Sequence, residues 1–321
     1  MTFEALTPSL ILEAVSAQGF RPTGALLSLN SYENRVYEIA VEEQPPLVGK
    51  FYRPGRWPLA AIVDEHRLMR ALDEAEFPLV APLPLAKPIA QMSTLAVTDD
   101  FVYALFPRFC GRGNPDLSND DRKWLGRMLA RLHTISAHVN ISHRLTLDPD
   151  TYGYDALEFI LSQPFLPIDL AQHIETSLLQ ALVLTEAFFE EEMEIIPVHG
   201  DCHLGNILWN SDGPHLLDFD DMLIAPPVQD IWMLFYGDPE EVKRQQDAFF
   251  EGYDVFRRFD HRTLILAEPL RTLRMIHYAA WIGKRYGDPA FQSAFPYYRE
   301  RRYWEEFLLS IKEQISLLQE L

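Results

Sequence analysis

Residues 198–209 read VHGDCHLGNILW, and residues 215–221 read HLLDFDD. The first stretch crowds His199, Asp201, Cys202, His203 and Asn206 together, a density that suits a metal cage, a reactive thiol or a catalytic loop. Gly205 and Asn206 break it into a turn, so the alternation of a continuous strand does not persist through it. In the second stretch, apolar Leu216 and Leu217 precede Asp218, Phe219 and Asp220, the pattern of a short strand that delivers a carboxylate at its end. Asp201, Asn206 and Asp218 are then three oxygen-bearing side chains on two adjacent short elements. Hard oxygen donors of this kind suit Mg2+ and nucleotide phosphates.

That donor set follows the logic of phosphoryl transfer. One carboxylate orients and deprotonates an attacking hydroxyl, while an asparagine and a second carboxylate hold the metal against the phosphates. The spacing from Asp201 to Asn206 equals that of the protein-kinase pattern H-R-D-x-x-x-x-N, with His199 in the histidine place and Gly200 where that pattern has arginine. An H-x-D-x-H zinc or iron site built from His199, Asp201 and His203 is the alternative. The charge of Asp201 raises the pKa of a neighbouring thiol, which makes Cys202 a small buried residue rather than a nucleophile. His203 is expected to brace the loop.

The rest of the chain bounds the answer. A length of 321 residues suits one large or two medium domains, and a hydrophobic content of 48% with 23% charged residues supports a packed core. A formal charge of -19 disfavours nucleic acid as a partner, because a phosphate backbone is repelled. The same charge attracts basic protein segments or cationic small molecules, or serves solubility alone. The first residues carry no basic n-region ahead of an apolar run, and no apolar stretch reaches the roughly 18 residues a membrane span needs. Two distant cysteines, Cys110 and Cys202, argue against a disulfide framework, so the expectation is a cytoplasmic protein without membrane contact. A monomer is expected from the lack of an exposed heptad.

Element by element, SLILEAVSAQ (9–18) predicts a helix stopped by Gly19. The apolar residues of RVYEIAV and LVGKFY predict a hairpin turning through EEQPP (42–46), with Lys50 on its second strand. LAAIVDEHRLMRALDEA predicts a helix with Glu65 near its middle, and LAVTDDFVYALF (95–106) predicts two strands around an Asp-Asp turn. PRFCGRGNPD (107–116) reads as a connector, which places a boundary between an N-terminal lobe, 1–107, and a helical C-terminal lobe, 108–321. Beyond it, DRKWLGRMLARLHTI, HIETSLLQALVLTEAFFEEEME and EPLRTLRMIHYAAWIGKRY carry amphipathic helical stripes, with the acidic EEEME (190–194) as a solvated helix end. Strands first and helices after define an α+β order.

The two motifs HGDCHLGNILW and LLDFDD, in this order and at this separation, resemble the catalytic and metal segments of the aminoglycoside phosphotransferase and choline kinase superfamily, which has a two-lobed, protein-kinase-like fold. LNSYENRVYE, VGKFYRPGRW, DEH and PPVQDIWML extend the likeness over nearly the whole chain, which with these segments resembles more specifically bacterial serine/threonine protein kinases of the stress response. The resemblance implies ATP and Mg2+ as cofactors and protein substrates as partners. It makes Asp201 the proton acceptor and Asn206 and Asp218 the metal ligands. Lys50 then contacts the nucleotide phosphates with Glu65 as its ion-pair partner, Asp64 and Glu74 staying open. Ser31 falls in the nucleotide loop, and Asp230 resembles the structural aspartate that braces the catalytic loop.

Three departures keep small-molecule phosphotransferases in view. LNSYENRVYE has no glycine where a protein kinase has G-x-G-x-x-G, leaving Asn30, Ser31 and Asn34 to face the phosphates. The metal motif is D-F-D rather than D-F-G, which removes hinge-like freedom. No A-P-E segment follows. TYGYDALEFILSQPFLPIDL and the C-terminal helices offer an alternative small-molecule pocket, in which Arg271, Arg274, Lys284 and Arg285 either meet an anionic group or pair with Glu268.

Overall fold

A computed structural model describes residues 3–189 and 192–321. By packing, the chain divides into two compact units: Met1–Arg144, Pro197–Met222 and Met233–Phe259 form the first, and Leu145–Ile196, Leu223–Trp232 and Asp260–Leu321 form the second. The boundary expected at 107/108 falls inside the first unit.

The first unit begins with helix α1 (Pro8–Ala17), capped by the Thr7 hydroxyl and ended by Gly19 at φ 88°. Strands β1 (Pro22–Ser28), β2 (Arg35–Val41), β3 (Leu47–Phe51), β4 (Ala96–Thr98) and β5 (Phe101–Pro107) build an antiparallel sheet in the order β1-β2-β3-β5-β4. Between β3 and β4 runs helix α2 (Leu59–Glu74). The predicted hairpin and the Asp-Asp turn are both present, with Asp99 in the left-handed region. β1 is an addition: Pro22, Gly24 and Ala25 are weak strand formers and most of the strand is exposed, so no apolar alternation announces it.

Period-2 alternation decides what the sheet does. Ile39, Val41, Leu47, Phe51, Tyr103 and Leu105 turn to one face and join Ile11, Ala14 and Val15 of α1 in a core. The alternate residues Val36, Val48, Lys50 and Phe106 line a cavity on the other face.

After the sheet comes α3 (Asn119–Ser136), opened by a capping box in which Ser118 and Asp121 exchange hydrogen bonds. The second unit contributes α4 (Asp155–Leu161), preceded by a π-helical turn at Pro149–Tyr154, and α5 (Ile168–Glu186). α5 starts before His173 and stops at Glu186, short of the acidic run, of which Glu190 and Glu191 lie outside the described residues. The chain goes on through β6 (Ile196–Val198) and the hairpin of β7 (Ile207–Asn210) and β8 (Gly213–Leu216), followed by β9 (Leu223–Ala225). α6 (Pro239–Tyr253) belongs to the first unit, and α7 (Ala267–Arg285), α8 (Pro289–Ala294) and α9 (Arg301–Glu320) to the second. Within the second unit α5 packs on α9 and α4 on α7. Trp304 and Tyr298 are fully buried there, the Tyr298 hydroxyl donating to the Ala279 carbonyl at 2.7 Å. No helix among the described residues is long and apolar enough to cross a membrane.

α3 and α6 approach through two glycines. A Cβ on Gly126 would stand 2.1 Å from the Phe249 carbonyl oxygen, and one on Gly252 would stand 2.0 Å from the Lys123 carbonyl oxygen. Backbone cannot yield as a side chain can. Gly126→Ala therefore loses stability despite the gain in helix propensity of about 1 kcal/mol; the net loss in urea denaturation is about 1–3 kcal/mol.

Candidate active site

Lys50 is where the site's charges converge. Its ammonium lies 3.1 Å from Glu65 Oε1, 3.1 Å from Asp218 Oδ1 and 3.3 Å from Asp220 Oδ1. Burial drives the pKa of such an amine down, but the carboxylates of Asp218, Asp220 and Glu65 outweigh it and hold Lys50 charged, well above its ordinary value. β3 puts Lys50 here because Val48 and Lys50 share the cavity face of the strand. Of the three candidate acids, Glu65 is the ion-pair partner. Glu74 instead approaches Arg70 on the exposed side of α2, with 3.6 Å between them.

Asp64, one residue earlier, has a different task. Fully buried, it accepts from the backbone N–H groups of Ser142 (2.9 Å) and His143 (2.8 Å) and pairs with Arg67. Burial pushes its carboxyl up, yet these N–H groups, the His143 ring and Arg67 prevail and hold it below the usual carboxylate range.

Behind Lys50 lies a buried polar chain that no spacing in the sequence announced. The Tyr52 hydroxyl donates to Glu65 Oε1 at 3.0 Å and sits 2.9 Å from His66 Nε2, and His66 Nδ1 is 2.6 Å from Thr94 Oγ1. Burial, Lys50 and Arg144 drive the pKa of His66 well below its ordinary value, so the ring is neutral. With Tyr52 donating to Glu65, the network assigns His66 Nε2–H as donor to Tyr52, and Nδ1 then accepts from Thr94.

The loop 199–206 is fastened at both ends to one residue. His199 Nε2 donates to the Leu217 carbonyl at 2.7 Å, and the Leu217 N–H donates to the Asn206 carbonyl at 3.0 Å. His199 Nδ1 accepts from the Asp201 N–H, and the ring packs edge-on to Phe219. With both ring nitrogens committed to backbone, His199 is poorly suited to ligate a metal. Inside the loop, Asn206 Nδ2 donates to the Asp201 carbonyl at 2.9 Å and lies 3.4 Å from Asp201 Oδ2, the oxygen that His203 Nε2 also approaches at 3.4 Å. His203 Nδ1 accepts from the Gly205 N–H, which shapes the 3₁₀ turn Leu204–Asn206. Cys202 is fully buried.

Leu217 delivers Asp218 directly, and Asp218 adopts φ 56°, a left-handed conformation costly for a residue with a Cβ and often found at functional positions. Its side chain is half exposed. Of the two acids that follow, Asp220 is buried and Asp221 is half exposed; Arg56 binds both and approaches Glu33 Oε2 at 3.6 Å. Burial pushes the Asp220 carboxyl up, but Arg56, Lys50 and Arg144 outweigh it and hold it well below the carboxylate range. The Asp221 carboxyl is raised by desolvation in the crowded turn and by the neighbouring charges of Asp220, Asp201 and Asp218, against Arg56. The D-F-D motif thus puts a charged anchor where glycine would leave a hinge.

The cavity, of about 390 Å³, is lined by Asn30, Ser31, Asn34, Val48, Lys50, Glu65, Met69, Phe106, Phe109 and Asp218 among others. Its size suits a small-molecule ligand. Ser31 lines it, as does Asn30. Asn34 is already engaged: its Oδ1 accepts from the Arg53 N–H at 3.0 Å, and its side chain bonds Asp220. Arg53 Nε donates to the Glu33 carbonyl at 2.8 Å and Nη2 to the Tyr32 carbonyl at 3.1 Å, so the glycine-free loop is shaped from behind by arginine.

In the second unit Asp230 is buried at the end of a 3₁₀ turn. Arg271 pairs with Glu268 at 3.0 Å and lies over Trp232, so of the two alternatives for it the helix pairing is present. Arg285 lies over Trp281, and Lys284 over Phe159.

Comparison with known proteins supplies the class. A profile of the phosphotransferase enzyme family matches residues 26–264. Stress response kinase A of Escherichia coli K12 is 35% identical over 319 residues, covering 99% of this chain and 95% of that one. Serine/threonine protein kinase RdoA of Salmonella typhimurium is 34% identical over 320 residues with the same coverage. Among solved structures, the amicoumacin kinase hAmiN in complex with AMP-PNP and Ca2+ superposes with a TM-score of 0.73 at 18% identity, over 97% of this chain and 96% of that one, a likeness of fold. The chain belongs to the phosphotransferase enzyme family. It is a kinase-type enzyme with a hydroxyl acceptor.

The Asp64 anchor sets a pH dependence. Its folded pKa is depressed, so its contribution to stability is present above the unfolded value of about 3.9 and is lost as pH falls through the folded one. Asp64→Asn is expected to lower the unfolding free energy by about 1–3 kcal/mol at neutral pH. The gap from wild type shrinks as pH drops below about 4, which chemical denaturation across pH 3–7 measures.

Proposed function

We propose that the chain transfers the γ-phosphate of ATP, with Mg2+, to serine or threonine hydroxyls of proteins in a stress response. The observation that carries this reading is the convergence of Lys50, Glu65 and Asp218 on one cavity, beside a loop that holds Asp201 and Asn206. Lys50, fixed by Glu65, reaches the nucleotide phosphates while Ser31 and Asn30 border them from the loop above. We place the division between the nucleotide-covering lobe and the catalytic lobe at 107/108, where Phe106, Pro107, Arg108 and Phe109 follow one another along the cavity wall.

Asn206 and Asp218 fit a hard divalent cation by their donor chemistry. The Asn206 amide nitrogen is bonded within the loop, and among the described residues its Oδ1 takes no hydrogen bond. Held by Asn206 and Asp218, Mg2+ would supply neutralisation of the phosphate charge. Asp201 orients the acceptor hydroxyl and takes its proton, with His203 and Asn206 holding its Oδ2 in place.

Protein acceptors are favoured by likeness to the stress response kinases along the full chain. The strongly negative net charge adds attraction for basic segments. A small-molecule hydroxyl acceptor is the second reading. It is supported by the missing A-P-E platform and by the fold shared with an amicoumacin kinase. We place the protein in the cytoplasm as a monomer.

Labelled ATP and Mg2+ offered with a basic protein, or with a panel of amino alcohols and aminoglycosides, separates the readings. Label is expected on serine or threonine of the protein, and transfer confined to a small molecule overturns that assignment. Asp201→Asn is expected to lower kcat about 10²–10⁴-fold while ATP still binds; retained turnover refutes the role of Asp201. Asp218→Ala is expected to abolish the metal dependence of nucleotide binding in titration calorimetry.

A further inference from the structure

Arg144 is the last residue of a turn that packs on α2, and its side chain is fully buried. A buried guanidinium is costly unless its N–H groups are bonded, and here they are spent on three acceptors, two on α2 and one on the turn after Asp218. Nε donates to the Ala61 carbonyl on α2 at 2.8 Å, Nη2 to Glu65 Oε2 at 2.8 Å, and Nη1 to the Asp220 carbonyl at 2.6 Å. The Trp57 ring covers the guanidinium face, with 4.6 Å to the centroid.

The consequence lies in the Glu65 carboxylate. Oε1 takes Lys50 and the Tyr52 hydroxyl, and Oε2 takes Arg144, so both oxygens are held. The attachment is reciprocal, since Asp64 of α2 binds the N–H groups of Ser142 and His143 while Arg144 of that turn binds Glu65. Through its third bond the same planar group reaches the backbone at Asp220, two residues after Asp218. Two parts that kinase catalysis must bring together, the helix acid that orients the lysine and the turn that carries the metal carboxylate, thus share one rigid fork.

We propose that Arg144 is a positioning residue for phosphoryl transfer, holding Glu65 on Lys50 and the Asp218–Asp221 turn in register with α2. It touches neither nucleotide nor acceptor, and it acts through Glu65. The inference rests on reading the cavity as the site of ATP-dependent transfer. Lysine at this position keeps the charge but offers no planar fork, and it cannot serve all three acceptors at once.

The test is a double-mutant cycle in steady-state kinetics on the full chain, with wild type, Arg144→Lys, Glu65→Gln and the double variant. Arg144→Lys is expected to lower kcat about 10- to 100-fold, as loss of a supporting contact behind a reacting group does. KM for ATP should move less than about threefold, because misalignment is felt most in the transition state. The double variant should be no more than about twofold slower than the slower single one, since both changes break one unit. Multiplying effects, or an Arg144→Lys enzyme within about twofold of wild type, overturn the proposal. Should Arg144→Lys lose its fold by circular dichroism, Asp64→Asn loosens the same turn from the other side. It takes the place of Arg144→Lys in the cycle, with the same non-additivity expected and multiplication again decisive against the proposal. Wild-type protein that transfers no phosphate from ATP overturns the reading of the site, and this inference with it; the other outcomes bear on Arg144 alone.

Discussion

A lysine ammonium buried among three carboxylates governs the arrangement of this site. Lys50 costs stability when taken out of water, and Glu65, Asp218 and Asp220 offset that cost only because all three stand at about 3 Å from it. β3 supplies the lysine, α2 supplies Glu65, and the turn after β8 supplies the aspartates. Their excess negative charge needs further cations, which Arg56 and Arg144 provide. Each of those guanidiniums ties in another piece of backbone, Arg56 the segment at Glu33 and Arg144 the turn after Asn140. The electrostatic requirement of one buried charge thereby reaches the loop at Glu33, helix α2 and the turn at 218–221.

The departures from the protein-kinase pattern acquire a physical sense in this light. A glycine-rich loop is shaped by backbone freedom, whereas residues 29–34 are shaped by Arg53 donating to the carbonyls of Tyr32 and Glu33 and by Asn34 bonding Asp220. A D-F-G turn can swing. The D-F-D turn here is anchored at Asp220 by Arg56, by Lys50 and, through its carbonyl, by Arg144. Freedom has been exchanged for charge pairing. On the proposed reading, this charge pairing sets Lys50, Glu65 and the turn at 218–221 before a nucleotide binds.

The loop 199–206 shows how much one short motif can carry. His199 and Asn206 both bond to Leu217, so the loop's ends are set by the residue that leads into Asp218. The histidines and the cysteine that made VHGDCHLGNILW look like a metal cage are taken up by backbone bonding and packing. On the proposed reading, Asp201 and Asn206 remain for chemistry.

What the sequence determined by itself is local. The separation of Asp201 from Asn206, the apolar lead into Asp218, the hairpin bearing Lys50 and the helical stripes all follow from neighbours in the chain, where spacing translates directly into direction. The α+β order could be read for the same reason. Tertiary structure alone decided between Asp64 and Glu65, because adjacent residues on a helix point about 100° apart and only packing says which one meets the sheet. Arg56, Arg144, Tyr52, His66 and Thr94 were invisible for a related reason. Arg144 meets Asp220 from 76 residues away and Arg56 meets it from 164, and no local periodicity records a partner at that distance. A buried charge takes its meaning from what surrounds it in space, and that surrounding exists only once the chain has folded.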